Sequence, residues 1–176
     1  MMMRTAGKIV TAGLAVVAGL SAGAGDNLLG GSGLGLETGW LCWQASEVTR
    51  AGGTSGFSHG AIVVKTVKSA NTQSTDVQVF KPLELSAEQS YRLTFLATAG
   101  CPGTVSVGYC LAQPPFTYYA MTKVDLVAGP REYDCVLKLG KDLAGKDKIQ
   151  GSLRFLFGAF PPATITVSHG ILEQVE

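Results

Sequence analysis

The chain has 176 residues, of which 46% are hydrophobic, and its 14 Lys and Arg nearly balance 13 Asp and Glu. This near balance of positive and negative residues excludes the basic surface that binding to nucleic acid or anionic lipid requires. The length suits one domain with a sizeable core.

The N-terminus has the three parts of a secretory signal peptide. Arg4 and Lys8 precede an apolar stretch over residues 9–20, and an Ala-x-Ala cleavage site follows. We expect removal of residues 1–24, which leaves residues 25–176 as one domain, secreted or held at the cell surface. A membrane-spanning helix is the alternative, but it needs about 20 apolar residues, and no second apolar run is long enough to span a bilayer.

A glycine-rich segment over residues 30–39 comes next. It does not fit a helix interior, because each glycine there costs about 1 kcal/mol relative to alanine. We expect an extended arm that leads into a first strand near Trp40 and Trp43.

From residue 61 onward, short β-prone runs alternate with turn residues. Residues 61–67 and 77–81 are predicted strands, and Pro82 should end the second or mark a sheet edge. Further predicted strands, each with apolar residues on one face, cover residues 91–97, 104–111, 133–139, 153–158 and 164–167. Seven or so such strands predict an all-β fold, a two-sheet antiparallel β-sandwich.

The order and spacing of several motifs resemble the family 4/9 type carbohydrate-binding modules, which open with Asn-Leu, then Phe-Glu-x-Gly and a Trp. The matching segments here are Asn27-Leu28, Leu36-Glu37-Thr38-Gly39-Trp40, Ser58–Ala61, Leu83–Leu85, Ser90–Phe95, Arg131–Tyr133, Leu153–Phe155, Ile165–Val167 and Ile171–Glu173. The resemblance implies a galactose-binding-domain-like jelly-roll. It also implies binding of an oligo- or polysaccharide along a concave groove or at a loop rim.

The resemblance also raises the question of a structural calcium ion. The last strand in the family usually carries Asp-Asp, and this chain has Ser168-His169 there. Calcium prefers several hard oxygen ligands, and only Asp26, Glu37 and backbone carbonyls would remain. We therefore expect no cofactor, with structural calcium as the lesser alternative.

Two tryptophans are candidates for different roles. The family position of Trp40 implies that its indole is buried between the sheets. An offset of three in an extended chain points Trp43 to the opposite side. We expect Trp43 to face the groove, with packing at a sheet edge as the alternative.

The segment over residues 110–119 is the best candidate for a binding loop. It combines an amide, two prolines and three aromatics, and its candidate ligand contacts are Gln113, Phe116, Tyr118 and Tyr119. Prolines reduce the entropy that a loop loses on binding. The alternative is a plug that packs on the end of the sandwich.

Polar side chains opposite the apolar positions of their strands supply further candidates. Arg92, Arg154 and Gln78 fall at such positions. We place Arg92 among the carbohydrate contacts, and an ordinary solvated sheet surface is the alternative for all three.

The four cysteines, in an exported protein, favour two disulfides, although four cysteines allow three connectivities. Cys101 and Cys110 flank a predicted turn and strand, so their pairing is plausible and leaves Cys42 for Cys135. A zinc site is disfavoured, since the sequence has no Cys-x-x-Cys and only two histidines.

The sequence gives little support for catalysis. Ser58 and His59 are neighbours in one extended segment, which prevents the geometry of a nucleophile and its base, and no Gly-x-Ser-x-Gly turn is present. We therefore expect a non-catalytic protein. The alternative to carbohydrate binding is a structural or adhesive surface subunit, which self-associates when its glycine-rich arm adds to the sheet of a neighbour.

Overall fold

The computed structural model describes residues 26–68 and 73–176, so the predicted signal peptide and its cleavage site lie outside the described residues. Within these ranges no helix is long and apolar enough to cross a membrane. The described elements, in chain order, are β1 (Leu41–Gln44), α1 (Ser46–Arg50), β2 (Thr54–Ser58), β3 (Ala61–Lys65), β4 (Val77–Ser86), β5 (Ser90–Ala99), β6 (Gly103–Leu111), β7 (Tyr118–Leu126), β8 (Gly129–Lys138), β9 (Lys148–Leu156) and β10 (Thr164–Val175).

The strands form two five-stranded sheets, and the ladders that build them are antiparallel. The front sheet has the order β1-β4-β9-β6-β7, and the back sheet has the order β2-β3-β10-β5-β8. The predicted all-β, two-sheet sandwich is therefore confirmed.

The core between the sheets follows from the period-two alternation. Tyr91, Leu93 and Phe95 are buried as predicted, and they meet front-sheet side chains such as Phe155, whose ring centroid is 5.2 Å from that of Phe95. Trp40 is fully buried with its ring 5.9 Å from Phe155. Each strand thereby leaves its alternate residues on an outer face of the sandwich.

Pro82 was expected either to end the strand or to mark a sheet edge, and the first alternative is wrong, because the strand continues to Ser86. Pro82 pairs with Ser152 of β9 inside the ladder. Proline has no N–H to donate to a neighbouring strand. None is needed at Pro82, because β1 pairs with β4 only as far as Phe80 and the β1 side of β4 is unpaired beyond it.

The glycine-rich arm packs onto its own domain. Leu29 and Leu34 are buried in the core, and the backbone N–H of Leu28 donates to the carbonyl of Leu172 at 2.8 Å. The backbone N–H of Gly170 donates in turn to Ser32 at 3.1 Å. The arm therefore already has a partner within the chain, and its predicted use in self-association is not supported.

The predicted disulfides are absent. All four cysteines lie in the described ranges, and each is a free thiol. Cys101 precedes β6 and Cys110 lies near its other end, which at about 3.3 Å per residue puts their Cα atoms more than about 20 Å apart. A disulfide needs less than about 7 Å.

Cys42 and Cys135 also lie too far apart to form a disulfide. Cys42 lies on β1 at one edge of the front sheet, and Cys135 lies on β8 at the far edge of the back sheet. The edge strand β1 faces β2, whereas β8 faces β7, so the two thiols occupy opposite sides of the sandwich. Sequence spacing could not reveal this, because the positions depend on strand order.

Candidate functional site

The outer face of the front sheet holds a groove of about 550 Å³. Outward-facing positions of β1, β4, β7 and β9 and the loop between β6 and β7 supply most of its walls. Its lining residues are Trp43, Thr75, Gln78, Phe80, Ala112, Phe116, Tyr118 and Arg154. The antiparallel register aligns these side chains, since Trp43 pairs with Gln78 and Phe80 pairs with Arg154.

Arg154 lies at the centre of this groove. Its guanidinium carbon is 5.4 Å from the ring centroid of Phe80 and 5.6 Å from that of Phe116, within the range of cation–π attraction. Its Nη1 donates to Oε1 of Gln78 at 2.9 Å, and its Nε donates to Oγ of Ser152 at 2.9 Å. These four contacts hold the guanidinium in one orientation.

Tyr118 closes the β7 side of the groove. Its ring leans over Gly108, where a Cβ atom would come within 2.8 Å of Tyr118 Cδ1, so the approach requires glycine. Gly108 pairs with Arg154 in the sheet, which brings the phenol beside the guanidinium. Burial raises the pKa of Tyr118, so its hydroxyl stays neutral and can donate a hydrogen bond.

The loop that carries Phe116 is held by hydrogen bonds within itself and to β6. The backbone N–H of Phe116 donates to the carbonyl of Gln113 at 2.9 Å, and the thiol of Cys110 donates to the carbonyl of Phe116 at 3.0 Å. Phe116 has a φ of 52°, which is unusual for a bulky residue. The aromatic ring therefore stands at the groove, half exposed, in a preformed loop.

Three of the predicted contacts come together in the groove: Trp43, Phe116 and Tyr118. Trp43, on β1, is 50% exposed, and Trp40, directly before β1, is 0% exposed, so the two side chains do point in opposite directions. Gln78 and Arg154, expected to lie opposite apolar positions, also line the groove.

Gln113 and Tyr119 lie beside the groove. Gln113 lines an adjoining polar basin of about 620 Å³, which shares Ala112 with the groove. Tyr119 packs partly against the core, and its hydroxyl donates to Oδ1 of Asp142 at 2.8 Å. That hydrogen bond is the main cause of the lowered pKa of Asp142. Tyr119 thus ties β7 to the loop between β8 and β9 at the basin.

Arg92 lies far from the other predicted contacts. It is exposed on β5 of the back sheet, where it pairs with Val136 and Glu173. The two outer faces of a sandwich are separated by both sheets and the core. Arg92 therefore cannot contact a ligand that lies in the groove.

Phe80 and Thr75 line the groove but were not singled out from the sequence, and Phe80 is the larger omission. It follows Val77 and Val79, which are buried, and it occupies the outward-facing position after Gln78. The sequence did contain a signal for this position, since an aromatic residue on the otherwise polar face of an alternating strand indicates a binding surface.

The described residues offer few side-chain ligands for the calcium ion that the family resemblance raised. Within the described ranges no three His, Cys, Asp or Glu side chains come together. The ammonium of Lys81 donates to the carbonyl of Thr38, the residue after Glu37, so that carbonyl already has a partner. The groove lining also contains no carboxylate or imidazole for general acid–base chemistry.

No family model matches the chain, and no curated protein matches it. Its fold is similar to that of several solved structures. A CBM4 structure aligns with a TM-score of 0.62 and 19% identity over 77% of this chain and 86% of that one. The second N-terminal cellulose-binding domain of Cellulomonas fimi β-1,4-glucanase C aligns with a TM-score of 0.65 and 17% identity, over 89% of this chain and 99% of that domain.

The first N-terminal cellulose-binding domain of the same glucanase has a TM-score of 0.54 and 22% identity, over 79% of this chain and 91% of that domain. Identities this low establish the fold alone. At that level, the resemblance to carbohydrate-binding modules predicted from the sequence is confirmed.

Proposed function

We propose that this protein binds an oligo- or polysaccharide in the groove of the front sheet and does not itself catalyse a reaction. The observation that carries the proposal is the grouping of Trp43, Phe80, Phe116 and Tyr118 around Arg154 and Gln78. Aromatic faces suit the apolar C–H faces of pyranose rings, and the planar amide and guanidinium suit their hydroxyls.

The preformed geometry supports the proposal. Phe116 is held by its loop, and Arg154 is held between two rings, so little side-chain entropy remains to be lost on binding. The fold shared with solved cellulose-binding domains supports the same function. The absence of a carboxylate or imidazole among the lining residues supports a role without catalysis.

A glycan array probed with the protein, followed by calorimetry on the strongest hit, tests this function. Trp43→Ala and Tyr118→Ala should each weaken binding several-fold or more, since each removes apolar contact worth about 25 cal/mol per Å². Arg92→Ala and Val136→Ala, on the exposed face of the back sheet, are the matched controls and should leave the affinity unchanged. Absence of any glycan hit, or full affinity in both groove variants, would refute the proposal.

The proposal includes export of the protein, with cleavage between Ala24 and Gly25. The basic start, the apolar stretch and the Ala-x-Ala site support it. The N-terminal sequence of secreted material should begin within about three residues of Gly25. An intact Met1 on the exported protein would contradict this part of the proposal.

A further inference from the structure

Arg154 carries the charge of the groove without a carboxylate partner. In the described part of the chain, the ion pairs are Arg50 with Glu47 and Lys148 with Glu84. Arg154 is fixed by two hydrogen-bond acceptors, the side chains of Gln78 and Ser152, and both are neutral. Glu84, on the same strand as Phe80, has its charge matched by Lys148 at 3.2 Å.

The other polar groups around the guanidinium are also neutral. Burial raises the pKa of the Cys110 thiol more than the nearby Arg154 lowers it, and burial likewise raises the pKa of Tyr118. The groove therefore presents a partly buried positive charge with no negative charge among its lining residues.

The remaining donors of Arg154 have a geometry that suits an anion. A guanidinium has five N–H donors in a planar fork, and Gln78 and Ser152 take one each, through Nη1 and Nε. Among the described residues no geometrically normal hydrogen bond involves Nη2, and the Tyr118 hydroxyl lies beside the guanidinium, where its hydrogen bond with Arg154 partly offsets the rise in the Tyr118 pKa that burial causes. Because two hydrogen bonds and the Phe80 and Phe116 rings restrain the guanidinium, its remaining N–H groups are positioned in advance for a planar, bidentate acceptor.

We infer that the groove selects acidic saccharides, in which a uronic acid carboxylate binds the free edge of Arg154 while neighbouring sugar rings stack on Trp43 and Phe116. This inference rests on the proposed carbohydrate binding and names the class of glycan. A carboxylate fits better than a neutral hydroxyl because its two oxygens can accept two parallel N–H bonds from one guanidinium edge and its charge is opposite to that of Arg154.

Calorimetry on the full protein with matched saccharides tests this selection. The probes are oligogalacturonate and oligoguluronate, the same oligosaccharides after reduction of their carboxyl groups to alcohols, and a sulfated neutral oligosaccharide. At least one acidic form should bind about tenfold or more tightly than its reduced form. The advantage should shrink as salt concentration rises, because salt screens the charge of a partly exposed site.

Three variants separate the charge of Arg154 from its packing. Arg154→Met keeps an apolar stem between Phe80 and Phe116 and should abolish the preference for the acid. Arg154→Lys keeps the charge but loses the fork and should retain only part of the preference. Arg92→Met, on the back sheet, is the matched control and should retain the full preference. Urea unfolding of each variant verifies that the sandwich is intact.

Several results would overturn the inference. Equal affinity for the acidic and reduced forms, or an acid preference that survives in Arg154→Met, would refute it while carbohydrate binding itself stands. Tighter binding of the sulfated saccharide than of both uronates would refute the carboxylate assignment. Failure of every saccharide to bind would refute the inference together with the proposed function.

Discussion

Two tryptophans three positions apart, one directly before β1 and one within it, have different environments. Trp40 is fully buried against Phe155, and its Nε1 has no hydrogen-bond acceptor within the described residues. Trp43 is half exposed at the groove. The alternation of a β-strand accounts for both, because residues an odd number apart face opposite sides.

This contrast gives a prediction for stability. Trp40→Ala should lower the free energy of unfolding by roughly 3–5 kcal/mol, because it removes a large buried ring and leaves a cavity. Trp43→Ala should change it by less than about 1 kcal/mol, as is usual for an exposed position. Urea denaturation followed by far-ultraviolet circular dichroism measures both values. Equal losses in the two variants would contradict the assignment of Trp40 to the core and Trp43 to the surface.

At the scale of single residues, the sequence predicted those contacts that local geometry determines. Trp43, Phe116 and Tyr118 could be assigned from an offset along a strand and from the aromatics of one loop. Arg92 and Arg154 could not be distinguished, because both occupy polar positions on alternating strands. Strand order places one on the back sheet and the other on the front sheet, and that order depends on pairing between distant segments.

At the scale of elements, the N-terminal arm is fastened by one side chain. Asn27 donates through Nδ2 to the carbonyls of Gly31 at 3.0 Å and Gly170 at 3.1 Å. Its Oδ1 accepts from the backbone N–H of Leu29 at 3.1 Å and of Leu172 at 3.0 Å. Two of these bonds join the arm to the last strand, and the other two hold the turn of the arm itself.

Asn27→Ala should therefore destabilise the protein by about 1–3 kcal/mol, because partly buried backbone groups lose their partners. Ser32→Ala is a suitable control, since the carbonyl of Ser32 receives Gly170 and its exposed side chain can be removed without touching that bond. Urea unfolding gives the free energies. A loss in Asn27→Ala no larger than in Ser32→Ala would show that these bonds contribute nothing to stability.

The strands themselves were predictable where alternation is clear, as in β5, and less so elsewhere. β2 contains Gly56 and polar residues, so its sequence carries no apolar periodicity, and it forms because it pairs with β3. The extension of β4 through Pro82 also depends on a neighbour, since β1 ends before that position. Both errors arise from contacts that are remote in sequence.

At the scale of the whole molecule, the cysteines belong to different environments of one sandwich. Cys42 is exposed at an edge of the front sheet, and Cys135 is buried in the core. Burial raises the pKa of the Cys135 thiol from 9.0 to about 12, with a smaller contribution from Asp134. The folded protein therefore holds this proton at pH values where the unfolded chain releases it.

This difference predicts a loss of stability in alkali. The contribution of Cys135 is fully present below about pH 9 and declines as pH rises toward 12, because the unfolded state then binds fewer protons than the folded state. The slope for one group is at most about 1.4 kcal/mol per pH unit. The free energy of unfolding is measured in urea with reductant at about pH 9 and about pH 11. Between these pH values the wild type should lose roughly 2 kcal/mol more than Cys135→Ala loses. Cys42→Ala removes an exposed thiol and should follow the wild-type curve, whereas parallel curves for all three proteins would refute the burial of a protonated Cys135.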